Sequence, residues 1–392
     1  MSGVGDAACP PCLRRAALLA LVAGRIEIAR KQRRPIRDVL ALSDDDLLAA
    51  VGGDEAAQLR RRLDDVSLFD MLVTAAESRL EVVCRHGSDY PSRLLDDRAA
   101  PAALFVRGGL GEYEGGRARL ARLVGGGEGE PPPAVSIVGT RRASPDGLEV
   151  ARTLGRGLAA AGVTVVSGMA LGIDSAAHAG ALEAGGPTVA VLAGGADVPY
   201  PQRKARLYDA IVASGGAVVS EMPPQFQAFK WNFPARNRIL AALAPATIVV
   251  EAAERSGSLI TAELALELGR DVGAVPGPVV SWQSRGTNAL LRDGATLIRD
   301  ARDALDLVLG VEHAELAVRR AAGETVPPPV DTTPELLELL AAVEEGRDTV
   351  STLATDAAGA ATVRAGLMEL ELLGLVRRAP GGRVRRTTRA AW

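Results

Sequence analysis

Short, continuous apolar runs recur between residues 134 and 310. They are Ala134–Val138, Val163–Ser167, Thr188–Leu192, Ala217–Ser220, Ala246–Val250, Val272–Val275 and Ala295–Ile298. Runs of this length without polar alternation are the pattern of strands covered on both faces. Segments with helical spacing lie between them, such as Pro145–Ala161 and Leu259–Leu268. Ser144 ahead of Pro145 is a helix start: a capping hydroxyl, then a ring that fits the first helical position. Strands alternating with helices predict an α/β domain over 134–310, with a doubly wound, mostly parallel sheet.

The flanks follow other patterns. Residues 1–107 read mainly as helices, with Leu18, Leu19 and Leu21 opening an apolar stripe and Asp44–Asp46 at a helix start; Tyr90-Pro91 and the apolar stretch Ala102–Val106 close the piece. Residues 108–133 hold Gly125-Gly-Gly127 and Pro131-Pro-Pro133 and read as a connector. A second linker, 311–334, contains Pro327-Pro-Pro329. The tail, 335–392, predicts helices over Glu335–Val343, Val350–Thr355 and Ala361–Leu373, then a hairpin over 374–386 around Pro380-Gly-Gly382. That order is the grammar of a winged helix.

With 392 residues, 47% of them hydrophobic, the chain can bury one large core and smaller satellites. A formal charge of −3 excludes a globally basic coat for nucleic acid. Cations and acids balance between Arg141 and Asp306, so any anion site there is a focused patch. Lysine occurs only at Lys31, Lys204 and Lys230. The longest early apolar run, Ala16–Ala23, is too short to span a bilayer, and no signal-peptide pattern precedes it. Three cysteines make no disulfide framework. These features lead us to expect a cytoplasmic protein without membrane contact.

Candidate chemistry sits in the loops that follow the strands. Ile137-Val-Gly-Thr-Arg-Arg-Ala-Ser144 puts a glycine, Arg141 and a helix N-terminus together, which suits an anion; the competing reading is a surface arginine. Gly168 and Gly172 bracket the next loop, which leads to Asp174 and His178. These two could pair on a metal, or act as a helix cap and a core histidine. Lys230-Trp-Asn-Phe-Pro-Ala-Arg-Asn-Arg238 mixes cations with two aromatics in a chain that is only 3% aromatic. Such a mix holds single strands, because cations track phosphates and an aromatic face stacks any base. The alternative makes Trp231 and Phe233 core residues and Arg236 and Arg238 a solvated face. Ser256-Gly257-Ser258 opens another helix, as a phosphate cradle or an ordinary cap. No P-loop and no Gly-x-Ser-x-Gly elbow occurs.

In this order, Ile137–Ser144, Ser167–His178, Tyr200-Pro201, Phe233–Arg238, Arg255–Thr261, Gly269–Asp271 and Val275-Pro-Gly277 resemble the DprA (Smf) family. The resemblance implies an extended Rossmann-like fold that binds single-stranded DNA, with an N-terminal helical domain of the SAM or helix-hairpin-helix kind and a C-terminal winged helix. It also implies a homodimer that protects incoming DNA and loads the RecA recombinase during natural transformation, with no catalysis. By motif match, Arg141, Lys230 and Phe233 would be the main DNA contacts, and Gly168, Arg236, Asn237, Arg238, Ser256 and Ser258 would shape the same pocket. Many members carry a basic residue where Leu171 stands here, which removes one phosphate contact; Lys204 is a candidate substitute.

Two other functions compete. Ser256–Glu263 faintly resembles the glycine-rich loop and helix glutamate of phosphoribohydrolases, which would make the chain an enzyme acting through Glu263. Arg377, Arg378, Arg383, Arg385 and Arg386 on the hairpin suit a transcription regulator that reads duplex DNA. Separately, Cys9-Pro-Pro-Cys12 and Cys84-Arg-His86 form a complete set for a structural zinc if the two pairs meet in space, and are otherwise free thiols. No other cofactor is expected.

Overall fold

A computed structural model describes residues 8–29, 35–108, 115–126, 131–321, 333–354, 357–372, 376–379 and 383–386. Contacts divide the chain into two compact units, one ending at Ala321 and the other beginning at Ala322.

In the first unit, five helices lead: α1 (Pro10–Ala29), α2 (Ile36–Leu40), α3 (Asp44–Gly52), α4 (Ala56–Asp64) and α5 (Leu68–Glu77). Two strands follow, β1 (Glu81–Cys84) and β2 (Ala103–Gly108), then α6 (Gly116–Val124). The alternating part is β3 (Ala134–Val138), α7 (Pro145–Ala160), β4 (Thr164–Ser167), α8 (Ile173–Glu183), β5 (Thr188–Val191), α9 (Ala205–Ala213) and β6 (Ala217–Ser220). It continues with α10 (Asn232–Leu243), β7 (Ala246–Val249), α11 (Gly257–Glu267), β8 (Asp271–Ala274), α12 (Arg285–Arg292), β9 (Thr296–Leu297), α13 (Ala301–Leu309) and α14 (Val311–Ala321).

The nine strands form one mixed sheet in the order β1-β2-β6-β5-β4-β3-β7-β8-β9. From β6 to β9 all neighbours run parallel, while β1–β2 and β2–β6 are antiparallel. The chain leaves β3 toward β4 on one side and returns to β7 on the other. The helices that follow β3 and β7, α7 and α11, cover opposite faces, and a crevice opens between their starts at the strand ends. β3 to β7 are buried along their whole length, as their unbroken apolar runs predict. α7, α8 and α13 cover one face through Leu154, Leu158, Ala177 and Leu305, while α6, α10 and α11 cover the other through Leu120, Leu240 and Ala262.

Three expectations need correction. The N-terminal piece is not a separate helical domain: β1 and β2 extend the main sheet, with β2 paired to β6 from Phe105↔Ser220 to Gly108↔Ala217. The connector 108–133 contains α6, whose Leu120, Leu123 and Val124 are buried in the central core. The linker 311–334 begins as α14, whose Ala314 is buried in the core with α13. Pro327–Pro329 lie outside the described residues.

In the second unit, α15 (Pro334–Glu344), α16 (Val350–Leu353) and α17 (Ala357–Leu372) precede an antiparallel pair, β10 (Val376–Ala379) and β11 (Arg383–Arg386). Leu336, Leu340, Leu367, Leu370, Val376 and Val384 form their shared core. Pro380–Gly382, the expected hairpin turn, lie outside the described residues.

Candidate functional site

The crevice at the switch point holds a cleft of about 290 Å³. Each wall is the start of a helix or the end of a strand. Gly139 and Arg141 come from the loop after β3, Asp174 from the first turn of α8, Phe233 and Arg236 from α10, and Ser256 from the cap of α11. A recess of about 50 Å³ adjoins it, lined by Gly168, Leu171, Tyr200 and the same Arg141 and Phe233.

At the mouth, the guanidinium of Arg141 lies 4.7 Å from the Phe233 ring centroid. The Tyr200 ring sits 5.4 Å from Phe233 at a tilt of 54°. Arg141 and Tyr200 are exposed and Phe233 is half-buried, so the group forms a cation-edged aromatic shelf open to solvent. On the floor, Ser256 caps α11 and its hydroxyl meets that of Ser258 at 2.7 Å. Asn237 donates its amide to the Gly257 carbonyl at 3.1 Å, which locks α10 to the start of α11. The first turn of a helix leaves N–H groups unmatched by the helix itself, and its dipole favours an anion there.

Behind the shelf two titratable side chains, Arg236 and Asp174, are buried near each other. Arg236 donates to the Val191 carbonyl at 2.7 Å; burial lowers its pKa to about 10, which leaves it cationic near neutral pH. Asp174 is fully enclosed, and burial raises its pKa against the opposing pull of Arg236. Its carboxylate accepts the Ala170 N–H at 3.3 Å. Ala170 is aimed there by Met169, which adopts φ 55, a left-handed conformation that costs a residue with a Cβ roughly 1 kcal/mol and is held here by full burial of its side chain. Gly168 makes room for Arg236: a Cβ there would stand 1.7 Å from Nη1.

Several site residues thus converge: Arg141, Phe233, Gly168, Arg236, Asn237, Ser256 and Ser258 all border the cleft or its recess. Others do not. Arg238 is 1% exposed, donates to Ala99 O at 2.8 Å and pairs with Glu221 at 2.5 Å; it ties α10 to the N-terminal segment. Trp231 is a core residue whose Nε1 donates to Ala23 O at 2.9 Å. Lys230 is exposed in the turn before α10 and borders neither cavity. Lys204 ends a short 3-10 turn after Pro201 and likewise borders neither.

The expected anion site at the start of α7 is already filled. Glu251, just beyond β7, accepts from the Ser144 N–H at 2.9 Å and from its hydroxyl at 2.5 Å. A carboxylate at a helix N-terminus does the work foreseen for an external anion. Of the two readings of Asp174 and His178, the core histidine holds and the metal pair does not. His178 is wholly buried, with Nδ1 2.7 Å from the Thr188 hydroxyl, and burial lowers its pKa to about 3, so the ring is neutral. Glu263 is exposed along α11 and does not border the cleft. Sequence reasoning overlooked Tyr200 as a shelf residue and Asp174 as a buried carboxyl group close to Arg236. Tyr200 did carry a signal, as one of the chain's four tyrosines in a matched motif.

No helix among the described residues is long and apolar enough to cross a membrane. Known proteins similar to this chain in sequence and in fold point to one family. The chain is 37% identical over 298 residues to protein Smf of Escherichia coli, covering 76% of this chain and 75% of that protein. It is 35% identical over 349 residues to protein Smf of Synechocystis, covering 82% of this chain and 84% of that one. The X-ray structure of DNA processing protein A from Streptococcus pneumoniae superposes with a TM-score of 0.57 at 33% identity, over 75% of this chain and 95% of the other. Residues 81–309 match the family described as DNA recombination-mediator protein A, and the chain belongs to that family.

Proposed function

We propose that this protein binds single-stranded DNA in the switch-point cleft and acts as a recombination mediator. The observation that carries the reading is the Arg141–Phe233–Tyr200 shelf standing over the N-terminus of α11. An unpaired strand offers alternating needs: flat bases that seek a stacking partner and phosphates that seek donors. The shelf serves the first need. Arg141, Ser256, Ser258 and the helix end serve the second. Every base has a π-face, so binding here tolerates any sequence. A duplex keeps its bases stacked inside and gains little from the shelf.

A mediator holds a strand and passes it on, so the partner we assign is the RecA recombinase, with protection of incoming DNA as the accompanying role. Homodimerisation and a cytoplasmic setting belong to the same reading and rest on family membership. The second unit, with three helices and an antiparallel pair, suits a winged helix serving as an accessory surface. The reading requires no catalysis. The test is fluorescence anisotropy with labelled oligo-dT on the full chain. Arg141→Ala and Phe233→Ala should each weaken binding by roughly 5- to 100-fold, the range for losing one stacking or charged contact. Arg141→Ala should also flatten the salt dependence by about 0.7 per phosphate released. Unchanged affinity in both variants would overturn the cleft as the DNA site.

A further inference from the structure

All three cysteines of the chain, and one of its three histidines, meet at a single point. Cys9 and Cys12 sit at the start of α1, and Cys84 ends β1, with His86 in the turn that follows. Their ligand atoms lie within 4.8 Å of one another. His86 Nδ1 stands 3.2 Å from Cys9 Sγ and 3.4 Å from Cys12 Sγ.

We propose that Cys9, Cys12, Cys84 and His86 hold one zinc ion that staples α1 to the edge of the sheet. A tetrahedral zinc has Zn–S near 2.3 Å and Zn–N near 2.0–2.1 Å, so its ligands stand roughly 3.6 Å apart. The two sulfur–nitrogen separations are already close to that value. The Cys-x-x-Cys turn is shaped as a knuckle: the Cys12 N–H bonds to the Cys9 carbonyl at 3.0 Å. The second pair is turned in the same manner, with the Gly87 N–H on the Cys84 carbonyl at 2.8 Å. Three soft thiolates and one imidazole, with no carboxylate in the set, select zinc over magnesium or calcium. Four protein ligands close the coordination sphere, which makes the site structural. A disulfide explains the cluster less well, because it uses two sulfurs and strands the third beside the histidine.

The ion would close a loop containing α1 to α5, whose helices pack around Leu18, Leu47 and Leu59. Its influence reaches further along α1. Roughly 16 and 22 Å up that helix, the Ala23 carbonyl and the Glu27 carboxylate accept from Trp231, at 2.9 and 2.8 Å. Trp231 stands two residues before Phe233 in the chain. Zinc therefore anchors the helix against which the start of α10 is set.

The test uses the full chain purified under reducing conditions without chelator, with metal measured by plasma mass spectrometry. The expected result is one zinc per chain, falling below a tenth in Cys84→Ser. His86→Ala should bind more weakly, which keeps the test readable if the cysteine variant misfolds. Cobalt added to stripped, reduced protein should give visible d–d bands and thiolate charge transfer, and hydrogen exchange in α1 should slow when the metal returns. These readouts are independent of DNA binding. Metal below a tenth of an equivalent with no charge-transfer band on cobalt addition would overturn the site. So would an intact mass two hydrogens short, which marks a disulfide.

Discussion

Gly168→Ala is the smallest change that strikes the charged floor behind the cleft. The added Cβ would stand 1.7, 2.3 and 2.5 Å from Nη1, Cζ and Nη2 of Arg236. Ordinary contact needs about 3.5 Å, so the guanidinium must retreat by roughly 2 Å. It has little room to do so, being 6% exposed and tethered to Val191 O at 2.7 Å. Retreat breaks that bond, a charged hydrogen bond of about 1.5–3 kcal/mol, and pulls the cation from the enclosed Asp174. Loss of that bond and of the guanidinium's packing should cost about 2–3 kcal/mol, which at roughly 2.1 cal/mol/K per residue over the 321-residue first unit lowers Tm by about 3–5 °C. Scanning calorimetry on the full chain measures the loss. The double variant Gly168→Ala with Arg236→Ala removes the clash partner, so its loss should fall short of the sum of the single losses by at least about 1 kcal/mol. A Tm within a degree or two of the parent, or strict additivity, would show that Gly168 is not there to make room for Arg236.

Two further outcomes follow from groups that sequence alone left ambiguous. Glu251→Ala removes both bonds to Ser144 and the anion at the start of α7, and should cost about 2–3 kcal/mol by urea denaturation; sulfate should restore part of that loss in the variant but not stabilise the parent to the same extent. His178 has its folded pKa lowered to about 3 by burial, so the unfolded chain binds its proton first on acidification and stability is lost as pH falls from about 6.5 toward 3. His178→Gln should therefore lose about 2 kcal/mol less than the parent between pH 7 and pH 5, and parallel stability profiles would refute this assignment.

The parallel part of the sheet was legible because each strand is a short apolar run cut off by glycine or a polar loop. β1 and α6 were not. β1 is four residues long and opens on Glu81, so it presents too little pattern to separate from a loop. α6 lies between glycine and proline tracts whose turn signal outweighs the spacing of Leu120, Leu123 and Val124. Within α10 the limit is rotational. Arg236 and Arg238 are two positions apart, hence roughly 200° apart around the helix. One faces the cleft and the other faces Ala99 and Glu221. Composition cannot say which, because the answer depends on what covers each side of the helix. Glu251 shows the same limit at longer range: its partner Ser144 lies on a different strand's loop, and only the switch in strand order brings them together.

The distribution of charge in the cleft would let a chain of net charge −3 serve the single strand proposed for it. Arg236 is buried and hydrogen-bonded to the Val191 carbonyl, with Asp174 close by, so its charge is spent on holding the floor. Glu251 satisfies one helix N-terminus and leaves that of α11 to face the cleft. Among the described cleft residues, Arg141 is then the exposed cation, and it rests on an aromatic ring rather than a carboxylate. A site built this way draws on stacking and helix-end donors more than on accumulated positive charge. Its affinity for single strands should accordingly fall only gently with salt, with a slope reflecting a few phosphates, whereas a basic groove would lose binding steeply.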